Sequence, residues 1–301
     1  MGVMTDDVGV YGNGSIASAG AEVFAPDQPL TRWLQAGGKL WLRAVGIAVP
    51  VLGAVARSLL LPALVLALWH FASTRQWVPE QLLPAPLLVW QTLQELWSSG
   101  DLQSHLGFSA ARVAWSLLLG GTVGLLLGLG FGLSGRLRAY LYPSFNVVAQ
   151  FPVLGWIPLL IIFVGIDEAL KITAISIAVM VPMALNTMKG IANIPASLRE
   201  VAQVYRFNRW QVLWRLVLPA ATPSLFTGLR QAVMQAWLSL VFVELLASSE
   251  GIGYLIVWGR QLSQPDLVVA GMVTIGAIGV LLDLALRLLE SHLQSWHRAA
   301  F

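Results

Sequence analysis

Apolar residues fill most of this chain in long blocks, separated by short polar or proline-rich connections. A helix that crosses a bilayer needs about 20 mostly apolar residues at a rise of 1.5 Å. Six blocks meet that length, near residues 57–73, 108–134, 139–165, 168–188, 219–247 and 267–288. The pattern therefore predicts an all-α membrane protein with six transmembrane helices. The first block is the least regular, because "AVGIAVPVLGAVA" (44–56) and "SLLLPALVLALWHFA" (58–72) are each short, with Arg57 between them. The earlier piece is read as interfacial and the later one as the span.

Composition agrees with a lipid environment. Hydrophobic residues make up 57% of the 301 and charged residues only 11%, against roughly 25% charged in a soluble domain. There is no cysteine, so disulfides and thiolate metal sites are excluded. The net charge of +3 is too small and too scattered for nucleic-acid binding. Residues 1–40 are expected to form a mobile cytoplasmic tail, with the membrane domain covering 41–301; no cleavable signal sequence is apparent.

Lysine and arginine collect on the cytoplasmic side of membrane proteins. With the N-terminus inside, thirteen fall there: Arg32, Lys39, Arg43, Arg57, Arg136, Arg138, Lys189, Arg199, Arg206, Arg209, Arg215, Arg287 and Arg298. Arg75, Lys171 and Arg260 fall outside, and Arg112 and Arg230 lie near or within spans. Both termini are therefore expected in the cytoplasm. A seventh span at 44–56 would move only the N-terminal basic group outside.

The connections carry structure of their own. Residues 77–102 hold Pro79, Pro84 and Pro86, then a short amphipathic helix ended by Ser-Ser-Gly-Asp, with Trp77, Trp90 and Trp97 suited to a membrane-interface belt. In the second span Gly120, Gly124 and Gly128 recur on one face, a spacing that lets helices approach closely. Packing within one subunit is favoured over a dimer contact. The most polar helical stretch is "REVAQVYRFNRWQVLWRLVLP" (199–219). Ser197 with Glu200, and Asn208 with Gln211, each have the spacing of a capping box. Two short helices are predicted, bent around Tyr205 to Phe207, with Pro219 opening the next span.

"EVAQVYRFNRWQVLWRLVLPAATPS" resembles the cytoplasmic loop of binding-protein-dependent ABC transporter permeases. That family's pattern falls on Glu200, Val201, Ala202, Arg206, Leu218 and Pro219, with Val201 in place of alanine and Arg206 in place of glycine. Because a side chain disfavours positive φ, Arg206 is expected to avoid the left-handed region, leaving Asn208 to supply the turn. "WVPEQLLPAP", "FVGIDEALKI", "ASSEGIGYLI" and "SQPDLVVAGM" resemble the aliphatic sulfonate and taurine permeases and their nitrate and bicarbonate relatives. The resemblance implies the type I ABC importer permease fold and a homodimer in the bacterial inner membrane. It also implies a separate ATPase subunit carrying ATP and Mg, and a periplasmic substrate-binding protein. The loop 189–218 would then be the coupling element, with Glu200, Ala202, Tyr205, Arg206, Asn208 and Arg209 toward the ATPase. This chain has no G-x-x-x-x-G-K-[ST] phosphate loop and is not expected to be an enzyme or to hold a cofactor or metal.

Ionisable residues inside spans are candidates for function. Arg230 could attract an anion in the pathway, and an equally simple reading, the one favoured, pairs it with Glu244 or a backbone carbonyl. Glu244, Ser248 and Ser249 lie where an outer gate would be expected. A proton relay through Glu244 and Asp283 is disfavoured, since no further carboxylates or histidines join them. Asp167 and Glu168 suit the N-terminus of the fourth span, with docking of the binding protein as the alternative. The histidines at 70, 105, 292 and 297 are dispersed, and no hydrolytic motif is present. The competing functional reading is an ion-coupled secondary transporter or channel, which has no need of a capped polar hairpin. An intramembrane enzyme is more remote.

Overall fold

The computed structural model describes residues 60–293, and every described element is a helix, a turn or irregular. The expected tail 1–40, the interfacial segment 44–56 and the residues after 293 lie outside the described residues. Contacts divide the chain into residues 1–66 and 67–301. The packing below concerns the second unit.

Helix α1, Leu60–Thr74, is a short apolar helix that stands where the first span is expected. The proline-rich connection then leads into α2 (Pro86–Ser99), which starts with proline in its first turn and stops where Gly100 adopts φ 87°. Trp77, Trp90 and Trp97 are all well exposed, as an interface belt requires. Helix α3 spans Asp101–Leu133, α6 spans Glu168–Ala192, α9 spans Leu218–Ala247, α10 spans Ile252–Gln261 and α11 spans Pro265–Leu293. Helices α3, α6, α9 and α11 are long and apolar enough to cross a membrane.

The third predicted span, 139–165, is broken. It forms α4 (Gly135–Val148) and α5 (Val153–Val164), bent by 95°. Pro152 explains the break, because it lacks an amide hydrogen and disfavours the α conformation at Phe151. Its own backbone is extended, at φ −65° and ψ 146°.

Three helices form the centre of the bundle. Gly120 lies against Ser176, Gly124 against Met180, Gly128 against Ala184 and Thr187, so α3 and α6 run parallel. A Cβ on Gly124 would sit 2.6 Å from the Met180 carbonyl oxygen and one on Gly128 2.6 Å from that of Ala184. Only a helix face without side chains allows this approach, and the glycine repeat is packing within one subunit. Helix α9 runs antiparallel to α6, with Gly228 against Asn186 and Gly190 against Ser224. Leu170, Ala174, Ile175, Val179, Ala232, Ala236, Leu240 and Val243 fill the core between them. Trp237 of α9 donates from Nε1 to the Ile275 carbonyl at 3.3 Å, fixing α11 on the other side.

Candidate functional site

The polar stretch after α6 is built from two helix ends. Helix α7, Ala196–Val204, begins after Pro195, whose ψ of 141° starts the helix one residue ahead of the expected cap. Ser197 thus falls inside the first turn, and the capping box expected between Ser197 and Glu200 does not form. Arg199 instead donates to the Ile191 carbonyl at 2.8 Å, covering the exposed end of α6.

At the other end of α7, Arg206 has φ 50°, contrary to the expectation that it would avoid this region. Its amide donates to the Gln203 carbonyl at 3.0 Å, and the Phe207 amide to the Ala202 carbonyl at 2.9 Å. These two bonds form a Schellman motif. They satisfy carbonyls that would otherwise be left open, which outweighs the side-chain penalty. Asn208 serves as the cap of the next helix, and there the capping box is complete: Asn208 Oδ1 accepts from Gln211 N at 2.7 Å, and Gln211 Oε1 from Asn208 N at 2.9 Å.

That second helix does not end at Leu-Pro. Arg209–Gln211 (α8) passes through a π-helical segment, Val212–Val217, directly into α9. Pro219 offers no amide to the carbonyl of Arg215, and a wider π turn relieves the clash its ring would cause there. Val217 packs with Ile191, Ile194 and Ala221. Above that small core Val201, Val204, Tyr205, Trp210 and Trp214 remain largely exposed, alongside Glu200, Arg206, Asn208 and Arg209. Ala202 is buried and seats α7 on the bundle.

The opposite end of α9 carries a closed polar knot. Arg112 of α3 and Glu244 of α9 are 2% and 1% exposed. Arg112 Nη1 donates to Glu244 Oε1 and to the Glu250 carbonyl, both at 2.7 Å, while its Nε and Nη2 clasp both oxygens of Glu168 at 2.8 and 2.7 Å. Ser109 Oγ donates to Glu244 Oε1 at 2.7 Å and accepts from Ile252 N at 3.1 Å. The Gly253 amide reaches Glu244 Oε2 at 2.9 Å, and the Gly251 amide reaches His105 Nδ1 at 3.0 Å. Lys171, expected in an outer loop, is buried in the first turn of α6 and donates to Glu168 at 2.6 Å.

Glu168 therefore clasps Arg112 across the helices, whereas the Asp167 side chain makes no capping bond. The loop at 248–251 lies against this knot. Gly251 has φ 106°, and a Cβ there would collide with the Glu244 carboxylate. Ser248 bonds back to the backbone of Glu250, and Ser249 is exposed. Sequence reading flagged Glu244 but did not join it to Arg112, Ser109 or Glu168. An arginine and two acids near the same ends of three spans was the signal available.

Arg230 does not meet Glu244. Fourteen residues of one helix separate them, about 21 Å. Instead Nη2 of Arg230 bonds Asp283 at 2.7 Å and Nη1 bonds Glu290 at 3.0 Å, both on α11. This ion pair opens onto a cavity of about 800 Å³ beside the α4–α5 break, lined also by Gln150, Asn186, Lys189, Gln231 and Gln235. Among the described residues no cluster of side chains could hold a metal ion.

Long helices with exposed apolar flanks and a polar seam sealed inside define a multi-pass membrane protein. Residues 120–295 match the model of the family described as the binding-protein-dependent transport system inner membrane component, and the chain belongs to that family. It is 39% identical over 243 residues to the aliphatic sulfonates transport permease protein SsuC of Bacillus subtilis (strain 168), covering 81% of this chain and 88% of that protein. It is 32% identical over 240 residues to the taurine transport system permease protein TauC of Escherichia coli (strain K12), covering 78% and 87%. A chain of the MetNI methionine ABC transporter, solved in inward-facing conformations, shares the fold with a TM-score of 0.50 at 16% identity, over 64% of this chain and 94% of that one.

Proposed function

We infer that the chain is the membrane-spanning permease subunit of an ABC importer that carries a small anionic solute, an aliphatic sulfonate or taurine, across the bacterial inner membrane. The observation that carries this reading is the similarity, over most of both chains, to permeases named for sulfonates and taurine. A binding-protein-dependent family brings with it a substrate-binding protein on one face. ATP and Mg belong to a separate ATPase on the other, since the chain has no phosphate loop of its own. Two copies of the permease form the pathway.

The surface at 197–215 supports the ATPase side. Its exposed Tyr205, Trp210 and Trp214 lie beside Glu200, Arg206 and Arg209 at the start of the helix that leads into α9, and exposed aromatic residues beside charges mark protein contact sites. In this reading Glu200, Tyr205, Arg206, Asn208 and Arg209 face the ATPase, Ala202 supports them from below, and both termini share that cytoplasmic side. The loop at Ser248 and Ser249, tied to Glu244, covers the opposite end of the pathway.

The test is reconstitution with the ATPase and the binding protein. Solute-loaded binding protein is expected to stimulate ATP hydrolysis, and Tyr205→Ala with Glu200→Ala to reduce co-purification of the ATPase while the membrane subunit elutes normally. Uptake that persists without any ATPase would establish the ion-coupled alternative. Orientation has a clean assay, because the chain has no cysteine. Cysteine placed at Tyr205 should react with an impermeant maleimide in inside-out vesicles and resist it in intact cells.

A further inference from the structure

A transport site must bind its solute well enough to admit it and weakly enough to release it. Among the described residues, two large ion-pair groups differ in their exposure. The Arg112–Glu244 pair is sealed, at 2% and 1% exposure. Arg230, Asp283 and Glu290 are 30%, 26% and 25% exposed, and all three line the cavity at the broken helix.

Both terminal nitrogens of Arg230 are held by the carboxylates of α11. Asp283 is in turn tied to its own helix, through Arg287 Nε at 2.7 Å. A guanidinium recognises a carboxylate through two coplanar oxygens, and a sulfonate or similar oxyanion offers it the same pair of acceptors. Lys189, on the same cavity wall, supplies a second positive charge and makes no ion pair among the described residues. Oε1 of Gln231 accepts from Asn186 Nδ2 at 2.8 Å, which fixes the side-chain amide so that its NH2 group is available as a donor.

We propose that this cavity binds a small oxyanion through Arg230, assisted by Lys189, and that Asp283 and Glu290 are tethered competitors for the guanidinium. They occupy Arg230 when no solute is present, and by returning to it they limit how long the anion stays. The cavity, at about 800 Å³, is at the large end for a small-molecule site. The anion is therefore held by a few charged contacts, and competition for those contacts sets its retention. This inference rests on the anionic-solute reading above.

Competition predicts effects of opposite sign on the two sides of one ion pair. The test uses the complete complex of permease, ATPase and binding protein in proteoliposomes, with ethanesulfonate as the probe. Binding of the probe is also measured on the purified membrane complex without binding protein. Arg230→Gln should weaken that binding at least about tenfold and cut uptake by a similar factor, the order expected for the loss of charge-assisted hydrogen bonds. Asp283→Asn should instead tighten binding several-fold, lower KM for uptake and slow the maximal rate.

If both substitutions weaken binding, or if neither changes it, the pair is a structural tie and the proposal is wrong. Glu290→Gln carries the same prediction should Asp283→Asn fail to elute as a folded complex. Failure of the underlying reading looks different: the wild-type complex would show no ATP-driven uptake of the probe that depends on the binding protein, and the inference would fall with it.

Discussion

At Arg206 a side chain occupies a backbone conformation that costs most residues about 1–2 kcal/mol. The residue stays there because its amide and that of Phe207 close two hydrogen bonds over the end of α7. The same bonds would form with glycine, without the Cβ penalty. Arg206→Gly is therefore expected to raise the stability of the detergent-solubilised chain by up to about 1 kcal/mol. Arg206→Val, branched at Cβ, should lower it by more than that gain, and thermal unfolding followed by circular dichroism reads both. Stability and function separate here, since the exposed arginine lies on the proposed ATPase surface. A more stable Arg206→Gly chain that still recovers the ATPase in full would show that the backbone turn, not the guanidinium, is what the partner reads.

At the scale of elements, the glycine face of α3 and the proline break of α4–α5 give two neighbouring helices opposite characters. Helix α3 is held close to α6 along its length, and adding a branched side chain at Gly124 drives a Cβ into the Met180 carbonyl. Gly124→Val should cost at least the 1–3 kcal/mol typical of an overpacked core, by about the same reasoning. Gly121→Val is the control, because no atom lies within 4 Å of a Cβ there. Yield of monodisperse protein and its thermal midpoint should fall for the first and hold for the second. The α4–α5 pair instead bends through 95° beside the cavity, so the break places Gln150 and Val153 on the cavity wall.

For the whole molecule, the knot at Arg112 and Glu244 joins α3, α6, α9 and the loop that enters α10. Removing one charge from a buried pair leaves the other without compensation, typically at a cost of about 3–5 kcal/mol. Arg112→Met or Glu244→Leu alone should therefore destabilise the chain severely, and the double substitution should recover much of the loss. Glu168→Gln should be milder, because its side chain is 52% exposed and water can replace a lost bond. Thermal midpoints of the four variants decide this. If the double substitution is as damaged as the sum of the singles, the knot's backbone bonds to Glu250 and Gly253 carry the stability instead.

Much of this was legible in the order of residues. Long apolar blocks, the glycine repeat at 120, 124 and 128, the Asn208–Gln211 cap and the polar stretch before α9 all depend on neighbours a few residues apart or on a local period, and the chain alone sets those. The break at Pro152 was missed although its cause is local, because hydropathy averages over the kink. The partners of Arg112, Glu244 and Arg230 were a different matter. Candidate acids were visible at several positions, but pairing depends on which helix faces meet, and that is fixed by the parallel packing of α3 on α6 and the antiparallel packing of α9 and α11. The sequence by itself determined the long apolar helices, the Asn208 cap and the resemblance to a permease. Only the tertiary structure decided that one arginine is sealed among carboxylates and a second is held by carboxylates at the edge of an open cavity, because charge partners across a bundle are chosen by distance in space.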